Sequence, residues 1–582
     1  MYGGIIMKKN ILVLAALLCL LALLAACGQA EPAPTTGTEQ QVQTPATQVI
    51  LASEGNAGFA LVGKADTYYM EIMQSQLGKL LDAEITVCSS AANVPENLVQ
   101  VVIGNPNRIA PATLTVQVPY FGYLMAIEDG VVYILGYDDY VLEEAAEVFC
   151  DMAAQNYAEG NLKLEADWQV ATDISEEYNV TKVTQLDGGR VSSIHDLDDG
   201  HQMAIVSNVQ KQEFNAYRDL LTSEGYTLYM ENEMNGNLFY TYTNASGVMM
   251  HIYWLEYYEE ARIIVAQDPV LPLLENAGEK ICTPLLHQLE ALDTDKSDGG
   301  MGFIIRLEDG RFLIFDGGHD NADSRVDIYD FLKANAPDPE NIVIAAWYLS
   351  HAHGDHTGAF EGFVRSYCND ATITLQSVLF NPCDTAEQMQ NTTSASPDVE
   401  AALKRYCPDV PVIKPMTGQK LTFSGTTIEI MYTMSDFMPN VITMESDWEK
   451  KGTFNGDYNV QTMVCIVDID STADKGDRMF MMGDTTVIAC NEMCSRYGSY
   501  LKCDIVQVSH HGLGQPKGQS LPRRNNSTKE IYELVDADIA LWPAGEAKMK
   551  ERSTLPVNEY LLSIVDTVIC ARDGGYTMEF GN

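Results

Sequence analysis

Three histidines and an aspartate fall within six residues in His351-Ala352-His353-Gly354-Asp355-His356, in a 582-residue chain that has only ten histidines. Imidazole nitrogens and carboxylate oxygens are ligands that zinc prefers, and hydrolytic centres gather such groups around one or two cations. With an extended backbone through His351 and His353, alternate side chains point the same way, so the two rings share one cation. Gly354 then redirects the chain and lets Asp355 and His356 meet a second cation nearby. A histidine-rich solvent loop is the competing reading. Four ligand-type residues at this spacing, directly after the apolar run "NIVIAAWYL", weigh against it.

That run reads as a buried strand delivering the cluster to a sheet edge. Three other segments share the design of an apolar strand ending in ligand-type residues. "MGFIIRLEDGRFLIFDGG" is a hairpin with Glu-Asp-Gly at its turn, and it ends in Asp316-Gly317-Gly318. "MFMMGD" ends in Gly483-Asp484, and "DIVQVSHHG" ends in His510-His511-Gly512.

Taken in chain order, "FDGG", the H-x-H-x-D-H cluster, Gly-Asp and His-His-Gly resemble the metallo-β-lactamase fold, an αββα sandwich that binds metals at the edge of its sheets. The resemblance covers residues 280–582. It implies that His351, His353, Asp355, His356, Asp484 and one of His510 and His511 hold metal. Asp484 would bridge two cations, and Asp316 would orient a ligand histidine from behind. Two Zn2+ ions are expected, or one if the first site is weak, with Mn2+ or Fe as alternatives. The His-His-Gly pair and "NVQTMV", with Asn459 and Thr462, are similar to a branch that includes the extracellular domain of competence-type DNA-uptake proteins and some surface phosphoesterases. The chain departs from hydrolases with a full ligand set, because no histidine lies between His356 and His510. The first site therefore keeps His351, His353 and Asp484, and water or another side chain must complete it. His319, Asn459 and Thr462 are candidate substrate contacts. Which of His510 and His511 binds metal stays open here; the other faces the substrate.

A cation lowers the pKa of bound water toward neutrality, and a second polarises a carbonyl or phosphoryl oxygen. Asp355, or whichever of His510 and His511 is not a ligand, handles the proton. A phosphate ester or diester, on a small molecule or at the cell surface, is the first expectation. Carboxyl esters, lactones and β-lactams form the second, although the missing histidine and the accessory regions weigh against an antibiotic-hydrolysing enzyme. A surface binding protein with a degenerate site is the alternative from another class. It would keep every ligand-type residue without a cation to offset the desolvation cost.

The elements around this region make a multidomain α/β and α+β chain. Residues 49–175 alternate strand and helix as a small α/β unit, and its course loosely resembles accessory modules of exported bacterial lipoproteins and glycosidases. Residues 185–275 read as a tyrosine-rich α+β unit whose alternating aromatics cover a sheet face. His195, His201, His251 and His287 fall outside any shared pattern and read as packing or surface residues.

With 36 basic and 81 acidic residues, the net charge is −45. That charge disfavours long nucleic acids and anionic membranes as partners; the sequence names no protein partner. Residues 1–27 read as an export signal, with two lysines, an apolar core and "LAAC", which resembles a bacterial lipobox with Cys27 as the lipidated residue. Residues 28–48 are a Pro/Thr/Gln-rich tether. The expectation is a lipoprotein on the outer face of the bacterial cytoplasmic membrane, touching the membrane by its anchor only. Thirteen cysteines are scattered with no C-x-x-C pair, Cys465 reads as a buried strand residue, and pairing among the rest stays open.

Overall fold

Apolar runs bounded by turn residues become central strands because both of their faces can be buried. The computed structural model describes residues 48–582 apart from isolated positions and short stretches, the longest being 172–185, 291–298, 383–395, 438–457, 470–476 and 514–526. The export segment, Cys27 and the tether up to residue 47 lie outside the described residues, and strand counts below refer to the described ones.

Two mixed sheets face each other in the C-terminal region. The eight-stranded sheet runs in the order Val412–Ile413, Val378–Phe380, Ile342–Leu349, Phe312–Asp316, Gly302–Arg306, Leu285–Gln288, Tyr576–Glu579, with Ile373–Leu375 also paired to Ile342–Leu349. The seven-stranded sheet runs Lys420–Phe423, Thr426–Tyr432, Val464–Asp468, Arg478–Met481, Ile505–Gln507, Ile539–Trp542, Thr567–Cys570. Alternation along the strands divides the side chains between two cores. Phe303, Ile305, Leu313 and Phe315 meet Ile428, Ile430, Cys465, Val467, Met479 and Met481 between the sheets. Ile304, Phe312 and Ile314 point the other way, into the core that also holds Ile328 and Leu332 of helix Ala322–Asn335 and Phe360 and Phe363 of helix Gly354–Tyr367. Trp347 is fully buried there, 5.1 Å from the rings of both Phe360 and Phe363; truncating such a residue to alanine costs about 3–5 kcal/mol. The result is the αββα sandwich that the resemblance implied.

The expected hairpin is present, with Gly302–Arg306 antiparallel to Phe312–Asp316 and the turn at Leu307–Arg311. The strands that matter for the site, Phe312–Asp316 with Ile342–Leu349 and Arg478–Met481 with Ile505–Gln507, are parallel pairs. Their carboxyl ends therefore collect at one edge of the sandwich.

Ahead of the sandwich, Phe59–Val62 sits between Thr86–Cys88 and Val99–Gly104 in a six-stranded sheet that continues through Val131–Gly136, Tyr123–Glu128 and Gln169–Ala171. Helices Tyr68–Leu81 and Asp139–Asn156 cover it through Met70, Met73, Leu77, Ala145 and Phe149. Next comes an antiparallel six-stranded sheet whose hairpin Thr227–Met234/Asn237–Thr243 turns on Asn235-Gly236. Both turn residues have positive φ, the conformation a two-residue hairpin requires. Its aromatics are divided between two faces. Tyr240 and Tyr242 pack with helix Lys211–Ser223, whereas Phe239 and Tyr253 join the core shared with the sandwich. The tyrosine-rich sheet is thus buried on both sides, as a packing element rather than a free aromatic face.

The contact between this sheet and the sandwich is polar at its centre. Arg262 Nη1 and Arg496 Nη1 donate to Asp436 Oδ1 at 3.3 and 2.7 Å, Arg262 Nε donates to Glu260 at 2.7 Å, and Arg496 also pairs with Glu492. Tyr253 and Thr417 hydroxyls donate to the same aspartate. Burial would raise the Asp436 pKa, but the two guanidinium groups outweigh it and hold it below the usual range. Beside this network, His251 Nε2 donates to Thr417 O at 2.8 Å, while its Nδ1 accepts from the Thr241 hydroxyl at 2.9 Å.

From Gln48 onward the chain is one unit. A disulfide joins Cys368, at the end of helix Gly354–Tyr367, to Cys407, just past helix Ser396–Tyr406. Cys465 is a buried strand residue, as its sequence context indicated. Among the described residues no helix is long and apolar enough to cross a membrane.

Candidate metal centre

Strand Ile342–Leu349 ends one residue before Ser350, and helix Gly354–Tyr367 begins with His353 as its N-cap. The strand is shorter than an extended run through His353 needs. His353 nonetheless keeps extended dihedrals (φ −91°, ψ 145°), and His351 Nε2 comes within 3.1 Å of His353 Nδ1. Asp355 and His356 lie in the first helical turn, where the positive end of the helix dipole favours a carboxylate.

The second sheet supplies the remaining groups. Gly483-Asp484 follows strand Arg478–Met481, and the Gln507 amide fixes that turn by accepting from Met482 N and Gly483 N and donating to Gly483 O. His510, His511 and Gly512 follow strand Ile505–Gln507 with three successive positive φ values of 48°, 52° and 73°. For histidine this conformation is strained, and it persists only where the surroundings over-determine it. Here they do. Trp542 Nε1 and Arg552 Nη1 donate to His511 O, Asn558 donates to Gly512 O, and His510 N donates to Gly483 O.

Two clusters of converging ligand atoms result, His351/His353/Asp484 and Asp355/His356/Asp484/His511, with atoms in each within 4.8 Å of one another. Asp484 belongs to both. The protonation pattern of the rings follows from their outer partners. His511 Nδ1 faces Pro543 O at 2.8 Å, and a carbonyl can only accept, so the proton sits on Nδ1 and the Nε2 lone pair points inward. His356 Nδ1 likewise donates to Asp316 Oδ2 at 2.8 Å. The Ser350 hydroxyl gives its proton to Asp316 Oδ2 at 2.7 Å and accepts from His351 Nδ1 at 3.0 Å. Asp316 itself has φ 51° and also accepts from Ser350 N. One buried aspartate thus orients two of the rings, one directly and one through Ser350.

Inward-facing lone pairs then meet carboxylates. His356 Nε2 is 3.3 Å from Asp484 Oδ2, and His511 Nε2 is 3.2 Å from Asp355 Oδ2 and 3.7 Å from Asp484 Oδ2. His356 Nε2, His511 Nε2 and Asp484 Oδ1 are buried without a hydrogen bond. Lone pairs of nitrogen and oxygen converging at buried positions repel unless a cation or proton lies between them. The donor set, two imidazoles and two carboxylates beside two further imidazoles, is that of a divalent metal site.

The electrostatics agree. Burial opposes the charge on Asp484, yet His356, His511 and His510 outweigh it and hold its carboxyl well below the carboxylate range. Burial likewise opposes ionisation of Asp355, and His356 and His511 reverse it. His356 and His511 are pushed up despite burial, chiefly by Asp484 with Asp316 or Asp355. His351 is driven well below 6.5 by burial and by its histidine neighbours. The carboxylates pull positive charge into the cluster, and a bound cation would displace the protons that collect there.

Of the residues singled out in the sequence, His351, His353, Asp355, His356, Asp484 and His511 come together, and Asp316 stands behind them. His510 lies at the rim, partly exposed, with Nε2 3.6 Å from Asp484 Oδ2 and 3.3 Å from Asn459 Nδ2. Thr462 is buried with its methyl group against Gly483, where an added Cβ would sit 2.5 Å from Thr462 Cγ2. His319 lies in the loop after Phe312–Asp316, partly exposed, outside both clusters. Among the described residues, no further His, Cys, Asp or Glu joins the His351/His353/Asp484 cluster in place of the absent third histidine. Sequence reasoning missed Ser350, Gln507, Trp542, Arg552 and Asn558, which position ligands through hydrogen bonds between distant segments. Ser350 alone had a local signal, its adjacency to His351.

No protein-family model and no curated protein matches the chain. Among solved structures it is similar to the metallo-β-lactamase fold protein YhfI from Bacillus subtilis, at 13% identity and a TM-score of 0.31, over 51% of this chain and 100% of that one. It is also similar to CmlA, a diiron β-hydroxylase from Streptomyces venezuelae, at 14% identity and a TM-score of 0.31, over 53% of this chain and 55% of that protein. A β-lactamase from Chitinophaga pinensis is matched at 14% identity and a TM-score of 0.23, over 47% of this chain and 95% of that one. These likenesses carry no assignment of activity or ligand; the site stands on its own geometry.

Proposed function

We propose that the chain is a metal-dependent hydrolase, with a phosphate ester or diester as the favoured substrate. The observation that carries the proposal is the pair of ligand clusters sharing Asp484, with orphaned lone pairs directed into their common space. His351, His353 and Asp484 would hold one zinc, and Asp355, His356, Asp484 and His511 the other; bound there, the metals would activate water and polarise the substrate oxygen. Asp316 and Ser350 hold the ring nitrogens in the tautomers that binding requires. His510, at the rim, is positioned to donate or receive the leaving-group proton at Nε2, with Asn459 steadying that ring. The phosphate reading rests on the resemblance of the Asn459–Thr462 segment and the His-His-Gly pair to surface phosphoesterases.

Zinc content and hydrolysis of bis(p-nitrophenyl) phosphate, nitrocefin and a simple lactone, measured together on the purified protein, test the proposal. Two zincs with phosphodiesterase activity, both lost in His353→Ala, support it. One zinc would give the His351/His353 cluster a different role. Turnover of nitrocefin or the lactone alone would replace the phosphate reading with the carboxyl one. A folded protein that takes up no metal would leave a surface binding protein. We further propose export and lipid anchoring at Cys27, for which incorporation of labelled palmitate and its loss in Cys27→Ser is the direct check.

A further inference from the structure

The six-stranded α/β sheet at the start of the described chain holds a second feature with the form of a ligand site. Strand Phe59–Val62 is flanked by Thr86–Cys88 on one side and Val99–Gly104 on the other, all parallel. The connection leaving the first strand runs toward Thr86–Cys88, and the one leaving Val99–Gly104 runs away, toward Tyr123–Glu128 and Val131–Gly136. Between these diverging connections the carboxyl ends of the strands leave a crevice, the place where open α/β sheets bind ligands. A cavity of about 700 Å³ occupies it, within the size range of small-molecule sites. Bare backbone forms part of its wall, because Gly63 follows the first strand and Gly104 ends the other. A Cβ on Gly63 would sit 2.9 Å from Ile103 O, and Gly104 has φ 155°.

The crevice is closed by the rest of the molecule. Tyr257 and Tyr258, from the turn of the antiparallel sheet, form one wall, and helix Val487–Tyr497 of the sandwich forms another through Asn491, Glu492 and Ser495. Loop residues Lys64, Ser89 and Asn105 complete the rim. The Arg108 guanidinium lies 4.3 Å from the centre of the Tyr257 ring, and Tyr257 meets Tyr258 edge-on at 5.0 Å.

We propose that this cleft binds a neutral saccharide of one or two rings. The lining offers no surplus of positive charge for an anion, since Lys64 is paired with Glu530, Glu492 with Arg496, and Arg108 is matched in number by Glu143. What the walls offer is aromatic surface beside planar amide, guanidinium and carboxylate groups. Aromatic rings cover the apolar C–H faces of a sugar, and planar groups with two donors or two acceptors match vicinal hydroxyls. The site is separate from the metal cluster and does not depend on the hydrolase reading.

The experiment is saturation-transfer NMR and calorimetry on the full chain with glucose, N-acetylglucosamine, maltose and cellobiose, with glucose 6-phosphate and glucuronate as anionic counterparts. At least one neutral sugar is expected to bind, with its affinity reduced tenfold or more by Ser495→Trp, which fills the cleft from the helix. Ser89→Trp fills it from the opposite, exposed loop and is expected to act alike should the helix variant misfold. Zinc content should not change in either. Absence of binding by all four neutral sugars overturns the proposal. So does preference for the anionic sugars, or neutral-sugar binding that a folded Ser89→Trp or Ser495→Trp variant leaves intact.

Discussion

Among the described residues, two dense clusters of buried charge are built on opposite principles. Around Asp436, cations and anions are both supplied by the chain, with Arg262 and Arg496 facing Asp436, Glu260 and Glu492 at side-chain exposures of 8% or less. Around Asp484, the chain supplies carboxylates and imidazole rings whose inward nitrogens and oxygens face one another, and the positive charge between them has to be taken up from outside, as protons or as a cation. The first cluster closes on itself and joins a sheet to the sandwich. The second is left incomplete by its own residues, which marks it as a binding site. Burial and ionisable residues alone would not separate the two; the sign and direction of the groups do.

The largest effect that would test this contrast is on folding. Arg496→Ala removes the cation paired with buried Glu492 and leaves Asp436 with Arg262 alone as its cation; it is expected to cost about 3–5 kcal/mol, read by urea denaturation, while the surviving folded protein keeps its full zinc content. Chelation gives the complementary result. At free zinc a thousandfold above its dissociation constant, removing the metal should lower stability by about 4 kcal/mol. That increment should vanish in Asp484→Asn and persist in Arg496→Ala. If Arg496→Ala loses zinc, or Asp484→Asn keeps its sensitivity to chelator, the two clusters are not independent.

Acid and base should act on the two regions in opposite directions. His251, neutral beside the Asp436 network, is lowered to about 4 by burial, only partly offset by Thr417 O and Asp436. Its folded pKa lies below the unfolded value, so its contribution is complete above about pH 6.5. It is lost as pH falls toward 4, by about 3 kcal/mol in total. His356 has the opposite shift, burial being overcome by Asp484, Asp316 and Asp355. In metal-free protein its contribution is complete below about pH 6.5 and is lost as pH rises through the raised folded value. Stability measured from pH 4 to 9 with and without chelator checks both signs; a His251→Gln variant that kept the acid slope would refute the first.

A smaller effect separates ligands from the groups behind them. Ser350→Ala leaves every ligand in place but removes the hydroxyl between His351 and Asp316. Zinc affinity should fall about 10–100-fold, measured by competition with a chromophoric chelator. Asn459→Ala should move zinc affinity least of all and show itself instead in KM.

The same contrast explains what could be read from the sequence. The metal cluster was legible because its groups sit at the ends of apolar strands, in short strings where spacing alone implies convergence. Which of His510 and His511 turns inward was not legible, because Pro543 O decides it from 32 residues away. The Asp436 network left no trace, since Arg262, Asp436 and Arg496 stand alone in the chain and meet only when a sheet docks on the sandwich. The strand-and-helix course of the first two regions followed from periodicity, but their packing against the sandwich did not, because no local pattern encodes it. Strand Arg190–Asp196, which extends the antiparallel sheet, also escaped notice, its run "RVSSIHD" being too polar to stand out.

The disulfide between Cys368 and Cys407 has a practical consequence for whoever makes this protein. It closes a loop of 39 residues in sequence separation, which chain-entropy arithmetic values at about 4 kcal/mol, and it ties the helix carrying Asp355 and His356 to helix Ser396–Tyr406. A recombinant host that produces the chain in its reducing cytosol would yield the reduced form, with that helix less firmly anchored. Preparations from the two compartments of one bacterium would then be different reagents, and zinc stoichiometry or activity measured on one should not be assigned to the other until the thiols have been counted.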